Sequence, residues 1–259
     1  MNNALKGAHV LVTRPEHQAD NLCQLIEQQG GVAVRFPALE IVGLDAASMA
    51  TNPLPKLSNF QWLIFTSANA VNFALKAKGG KIGSFQAAQI AAIGKATAAE
   101  LHSVGLEVIL APENGYDSEA LLAMPQLQDV NNQAILIIRG QGGREQLALT
   151  LRRRGANVEY WEVYRRIMPD VDCSRLIGLL EQGLLDVIII TSGEALQNLV
   201  VMLGKNYKGN LTIIPLVVVS DRIRQLAAEL GFKLIAVTER PSDTAILDTA
   251  IAIINGRDK

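Results

Sequence analysis

Tyr160, Glu162, Tyr164 and Arg166 fall at every second residue of Val158 to Met168, so an extended backbone would set two phenols, a carboxylate and a guanidinium on one face. Those groups exchange protons and bind charge, and an ordinary core strand would not carry them. The segment is therefore expected to leave its domain and front a cleft. A second set of chemistry-bearing residues lies where apolar runs give way to helical patterns: Arg14, Ser67, Gly94 to Thr97, Arg139 and Gly140 to Arg144, Ser192, and Ser220. Helix N-termini bind anions through free N–H groups and the helix dipole, with no side-chain charge required. Simple helix capping accounts for the serines equally well. Arg14, Arg139 and Arg144 are the better charge candidates because they sit at turns, whereas Arg152 to Arg154 read as a solvated helix end.

Other chemistries find little support. Gly140 and Gly142 fit the first two places of a dinucleotide-binding G-x-G-x-x-G, but Glu145 stands in the third. His9, His17 and His102 are far apart, and no Cys or His pair has metal-ligand spacing. Cys23 and Cys173 are the only cysteines and read as packing residues.

The elements that must position these groups alternate strand and helix along the chain. Strands are expected at 9–13, 32–42, 62–66, 89–93, 107–110, 134–138, 158–168, 186–191, 215–220 and 233–237. Helices are expected at 16–29, 67–78, 95–104, 117–124, 147–154, 173–182, 193–203, 221–230 and 242–254. Prolines and small residues between Gly43 and Asn59 mark a connection. This alternation argues for parallel sheets covered by helices on both faces.

The 259 residues are enough for two domains, and a formal net charge of −1 gives no general pull toward nucleic acid or anionic lipid. No apolar run approaches the roughly 18 residues of a membrane span, and MNNALKGAHV lacks a signal-peptide core, so a cytoplasmic protein is expected.

An internal repeat organises the whole. Arg14 answers to Arg139, Gly30 to Gly155 and Ser67 to Ser192 at an offset of 125, then Gly94 to Ser220, Gly105 to Gly231 and Asp117 to Asp243 at 126. Two copies of one unit would suggest a boundary near residue 131. Each copy, however, contains a long second strand, and the first of these carries Pro37, which a central strand rarely tolerates. If the two strands pair as a bridge, the domains are built from swapped parts of the copies.

The segments VLVTRP, FTSANAV, AAIGKATAAEL, IIRGQGGRE, VYRR, TSGEAL and VVVSDRIRQLAAELG, in this order and over nearly the whole chain, resemble the uroporphyrinogen-III synthase family, especially its proteobacterial form. The resemblance implies an α/β fold of two flavodoxin-like parallel-sheet domains, joined by a two-stranded β linker, with swapped halves of the repeat and the active site in the cleft. On this basis residues 1–35 plus 169–259 form one domain, 43–157 the other, and 36–42 with 158–168 the linker.

The implied reaction is dehydrative cyclisation of a linear tetrapyrrole, hydroxymethylbilane, with inversion of the last pyrrole ring. No cofactor or metal is implied. The step needs a positioned acid, worth roughly 10²- to 10⁴-fold, and a fold of the substrate that favours the inverted closure. Tyr164 matches the family's linker-strand tyrosine and is the expected acid. The polycarboxylate substrate is expected at Arg14, Ser67, Thr97, Arg139, Gly140, Arg144, Ser192 and Ser220. Arg222 and Ile223 stand where many members carry threonines, which weakens a hydroxyl contact from that turn. A monomer is implied, and hand-over of substrate from the upstream tetrapyrrole-forming enzyme is expected. The competing reading is a non-enzymatic two-domain protein that closes on a small anionic ligand.

Overall fold

The computed structural model describes residues 3–44, 54–113 and 117–256, and most of the connection expected between Gly43 and Asn59 lies outside them. The chain divides into two compact units, one of Met1–Glu40 with Ile167–Lys259 and one of Ile41–Arg166.

In the first unit, β1 (His9–Val12), β2 (Val32–Arg35), β8 (Leu185–Ile190), β9 (Leu216–Val218) and β10 (Ile235–Val237) form a parallel sheet in the order β10-β9-β8-β1-β2. This is the doubly wound order 2-1-3-4-5, counted from β1 and β2 and continued by the C-terminal strands. The first βαβ of one repeat copy is thus completed by the last strands of the other. Alternate strand residues feed two cores, as expected of a sheet buried on both faces. Val10, Val12, Val187, Ile189 and Val217 pack with α1 (Glu16–Gln28) and α9 (Asp243–Gly256). Leu11, Ile188, Ile190, Leu216 and Val218 pack with α6 (Ser174–Glu181), α7 (Gly193–Thr212) and α8 (Asp221–Leu230). The α7 helix continues beyond the expected stop at Leu203, with non-helical backbone at Gly204 inside it.

In the second unit, β3 (Glu40–Gly43), β4 (Trp62–Phe65), β5 (Gln89–Ala92), β6 (Ala134–Gly140) and β7 (Asn157–Ile167) are ordered β3-β7-β6-β4-β5. The pairs β7-β6, β6-β4 and β4-β5 are parallel, again the 2-1-3-4 order with the first βαβ now drawn from the second copy. The expected strand at 107–110 is reduced to a single bridge between Ala91 and Leu110. Helices α2 (Ala68–Ala77) and α3 (Lys95–Ser103) cover one face, and α4 (Ser118–Leu122) and α5 (Gln146–Arg153) the other.

Two strand expectations need correction. The strand expected over 32–42 is broken into β2 and β3, which lie in different sheets. Proline supplies no N–H, so Phe36 and Ala38 bond Val12 and Thr13 on either side of Pro37 while Pro37 itself cannot continue the ladder. The second correction concerns the face on which Tyr164 lies. Along β7 the register jumps from Arg139 opposite Glu162 to Gly140 opposite Tyr164, which leaves Val163 as an extra residue. That bulge reverses the alternation. Tyr160 packs with Val158 on the α5 side of the sheet, but Tyr164 packs with Trp161 and Val163 on the α2 side. The two tyrosines do not share a face.

Gly30 and Gly155, equivalent in the repeat, both have positive φ, and a Cβ on either would strike an asparagine side chain, Asn3 or Asn131. The left-handed backbone alone costs a side chain about 1–2 kcal/mol. Gly155→Ala is therefore expected to lower unfolding free energy by at least about that much. Chemical denaturation measures it, and an unchanged midpoint would refute the account.

Candidate functional site

The carboxyl ends of the parallel strands carry the candidate residues in both units. In the second unit Ser67 follows β4, Thr97 lies in the helix after β5, and Gly140 to Arg144 follow β6. Ser67 is extended and caps α2, its Oγ accepting from the Ala70 N–H at 3.0 Å. The same oxygen lies 3.2 Å from the Tyr164 hydroxyl. Tyr164 is 2 % exposed and is held on several sides. Its carbonyl accepts from the Gln141 N–H at 2.8 Å, the Phe73 ring lies 5.7 Å away, and the Arg166 guanidinium is 5.8 Å from the ring centre. Gly140 backs directly on the ring, since a Cβ there would fall 2.4 Å from Cζ. Ser67, Gly140 and Tyr164 are thus brought into one contact set, and the bulge at Val163 is what turns Tyr164 toward it.

Arg139 is 4 % exposed and engaged within its own unit. One guanidinium nitrogen donates to Glu145 at 2.9 Å and lies 3.4 Å from the Arg144 carbonyl, while Nε donates to the Gly140 carbonyl at 3.2 Å. The guanidinium also sits 4.6 Å over the Tyr160 ring. Such a buried charge is stabilised only by this full set of partners, so the side chain braces the glycine turn ahead of α5. The Arg144 side chain is exposed at the same turn, and Thr97 is buried in the first turn of α3.

Glu145 completes the brace, accepting from the Tyr160 hydroxyl at 2.5 Å as well as from Arg139. Those two bonds hold its carboxyl below the usual carboxylate range. Burial, followed by the bond to Glu145, pushes the Tyr160 phenol up. A depressed carboxylate contributes stability above its unfolded pKa and loses it as pH falls through the folded value. A raised phenol contributes below its unfolded pKa and loses it as pH rises through the folded value. The stability gap between the native chain and Tyr160→Phe should therefore be widest near neutral pH and close in both acid and strong alkali. Urea midpoints across pH test this, and a gap independent of pH would refute the pairing.

In the first unit Arg14 follows β1, Ser192 follows β8 and Ser220 follows β9. Ser192 and Ser220 cap α7 and α8 through the Ala195 and Ile223 N–H groups. Arg14 donates to Asp243 at 2.6 Å. The repeat signalled both acids of this type but not their separate uses: Asp117 caps α4 through the Ala120 N–H, whereas its counterpart Asp243 takes Arg14 and Asn21. Phe73 and Glu145 had no sequence signal as site neighbours. Among the described residues no three His, Cys, Asp or Glu side chains are grouped to hold a metal.

The model of the family described as Uroporphyrinogen-III synthase HemD matches residues 20–248, most of the chain. The chain belongs to the uroporphyrinogen-III synthase family. Among its relatives, the uroporphyrinogen-III synthase of Escherichia coli K12 is 33 % identical over 240 residues, covering 92 % of this chain and 98 % of that one. That of Salmonella typhimurium LT2 is 34 % identical over 242 residues, with 92 % and 98 % covered. The fold is shared with crystal structures of a mutant uroporphyrinogen III synthase from Thermus thermophilus and the uroporphyrinogen-III synthetase of Helicobacter pylori. The first has a TM-score of 0.64 at 19 % identity, covering 96 % of this chain and 100 % of that one. The second has a TM-score of 0.65 at 15 % identity, with 95 % and 99 % covered. Within this uroporphyrinogen-III synthase family chain no helix among the described residues is long and apolar enough to cross a membrane.

Proposed function

We propose that the chain closes hydroxymethylbilane to uroporphyrinogen III with inversion of the last pyrrole ring, and that Tyr164 is the source of the proton with which the terminal hydroxyl leaves as water. The observation that carries the assignment of Tyr164 is its hydroxyl contact with Ser67 at the N-terminus of α2. The positive end of a helix dipole lowers the cost of leaving negative charge on a phenol that has given up its proton. Pyrrole nitrogen supplies the electron pair that expels water, and the overall change involves no oxidation or reduction. The remaining work is to hold the intermediate so that the substituted carbon of the last ring closes the macrocycle.

We assign the substrate carboxylates to Arg14, Ser192 and Ser220 in the first unit and to Ser67, Thr97, Gly140 and Arg144 in the second, with Arg139 acting through the turn it braces. The helix termini at these positions support this reading, as their N–H groups bind anions without making the protein basic. The linker role of residues 36–42 and 158–168 is supported by β3 and β7 being sheet neighbours where the chain passes between units. A cytoplasmic monomer receiving its substrate from the upstream enzyme completes the proposal.

Mixing the purified protein with freshly generated hydroxymethylbilane and separating the porphyrinogen isomers tests the reaction. Type III should predominate. Type I in the proportion given by a protein-free control would reject it.

A further inference from the structure

The Tyr164 hydroxyl is placed poorly for direct contact with a ligand. Its residue is 2 % exposed, and the ring is walled by Gly140 and Phe73. Ser67, by contrast, is half-buried and stands at the open end of the sheet. Hydrogen-bond accounting fixes the direction of the bond between them. The Ser67 oxygen has two lone pairs and one proton, and one lone pair takes the Ala70 N–H. If Ser67 donated to Tyr164, the phenol proton would be left without an acceptor among the described residues, a costly state for a buried donor. Donation from Tyr164 fills the second lone pair of Ser67 and frees the serine proton to point away from the tyrosine.

We propose that Ser67 is the catalytic residue that touches the departing hydroxyl, and that Tyr164 is a positioning residue and proton reservoir behind it. The inference rests on the reaction proposed above. As the C–O bond of the hydroxymethyl group breaks, the pyrrole nitrogen lone pair moves into the ring. The leaving oxygen takes the Ser67 proton and departs as water, and Ser67 takes the Tyr164 proton in the same motion. The phenolate left behind faces the α2 N-terminus, with the Arg166 guanidinium 5.8 Å from its ring. The methylene cation is captured by the substituted carbon of the last ring. The older methylene bond to that carbon then breaks, and the freed methylene joins the ring's other α-carbon. The proton that this carbon loses in restoring the aromatic pyrrole returns through Ser67 to Tyr164. One water is released and no proton is gained or lost by the enzyme.

Ser67→Gly removes the hydroxyl while glycine remains an acceptable helix cap. With the native melting temperature retained, turnover should fall at least as far as in Tyr164→Phe, about 10- to 1000-fold, with little change in KM, because the backbone N–H groups of the α2 terminus through which this turn would hold a carboxylate remain. Ser67→Thr, which keeps a hydroxyl, should recover turnover to within about tenfold of the native enzyme. The double variant Ser67→Gly with Tyr164→Phe should be no slower than Ser67→Gly, because both act in one transfer. A Ser67→Gly enzyme that loses less than Tyr164→Phe, a Ser67→Thr enzyme no faster than Ser67→Gly, or losses that multiply in the double variant would each overturn the relay alone. A native chain that yields only type I product would remove the relay and the proposed reaction together.

Discussion

Tyr164→Phe is expected to lower turnover by roughly one to three orders of magnitude, within the range by which a positioned proton donor contributes, while binding of a product-like porphyrinogen changes little. The substitution removes one oxygen and leaves the ring in contact with Phe73 and Gly140. Stability should fall only slightly, since the lost bond to Ser67 leaves the serine still capping α2 through the Ala70 N–H. Arg144→Ala gives the opposite pattern: binding should weaken by about 1 to 3 kcal/mol, as a charge-assisted contact is lost with the proton source intact. The isomer formed by Tyr164→Phe should remain type III, because the walls that fold the substrate are unchanged. Full turnover in Tyr164→Phe would return Tyr164 to the status of a packed strand residue.

What the sequence disclosed and what it concealed divide along physical lines. Periodicity and caps depend on near neighbours, so α1, α2 and α8 were legible, as was the parallel character of the strands. The repeat exposed the swap, because Gly30 with Gly155 and Ser67 with Ser192 mark the same structural points in two copies. Pro37 announced that the second strand could not be simple, though not that its two parts would enter different sheets. The bulge at Val163 had no such marker. It is a property of the pairing with β6, where Gly140 leaves room for a ring that any larger residue would exclude. A strict two-residue alternation therefore set Tyr164 beside Tyr160, when one unpaired residue moves it to the other face. Arg139 misled in a similar way. Its guanidinium is buried and is taken up by Glu145 and the Gly140 carbonyl, so it braces the turn, which its place in the sequence did not announce.

Gly140→Ala should be the most damaging single methyl that can be added near the site. Gly140 lies at the end of β6, opposite Tyr164 in the register, and the Gln141 N–H donates to the Tyr164 carbonyl, so neither backbone can retreat without losing the ladder. A methyl at Gly140 would sit 2.4 Å from Cζ, 2.5 Å from Cε2 and 2.9 Å from the hydroxyl oxygen. All three atoms belong to a ring hemmed in by Phe73. Overpacking of this kind typically costs about 1–3 kcal/mol, and here the relief is to swing the phenol off Ser67. Turnover should drop at least as far as in Tyr164→Phe, with the melting temperature lowered as well, a combination that separates this variant from simple removal of the hydroxyl. Replacing the ring supplies the control. In a Tyr164→Leu background the atoms that the methyl strikes are gone, so the added stability cost of Gly140→Ala should shrink toward zero in a double-mutant cycle. Equal costs in both backgrounds would mean that the glycine serves the turn and not the tyrosine, and the contact set of Ser67, Gly140 and Tyr164 would lose its third member.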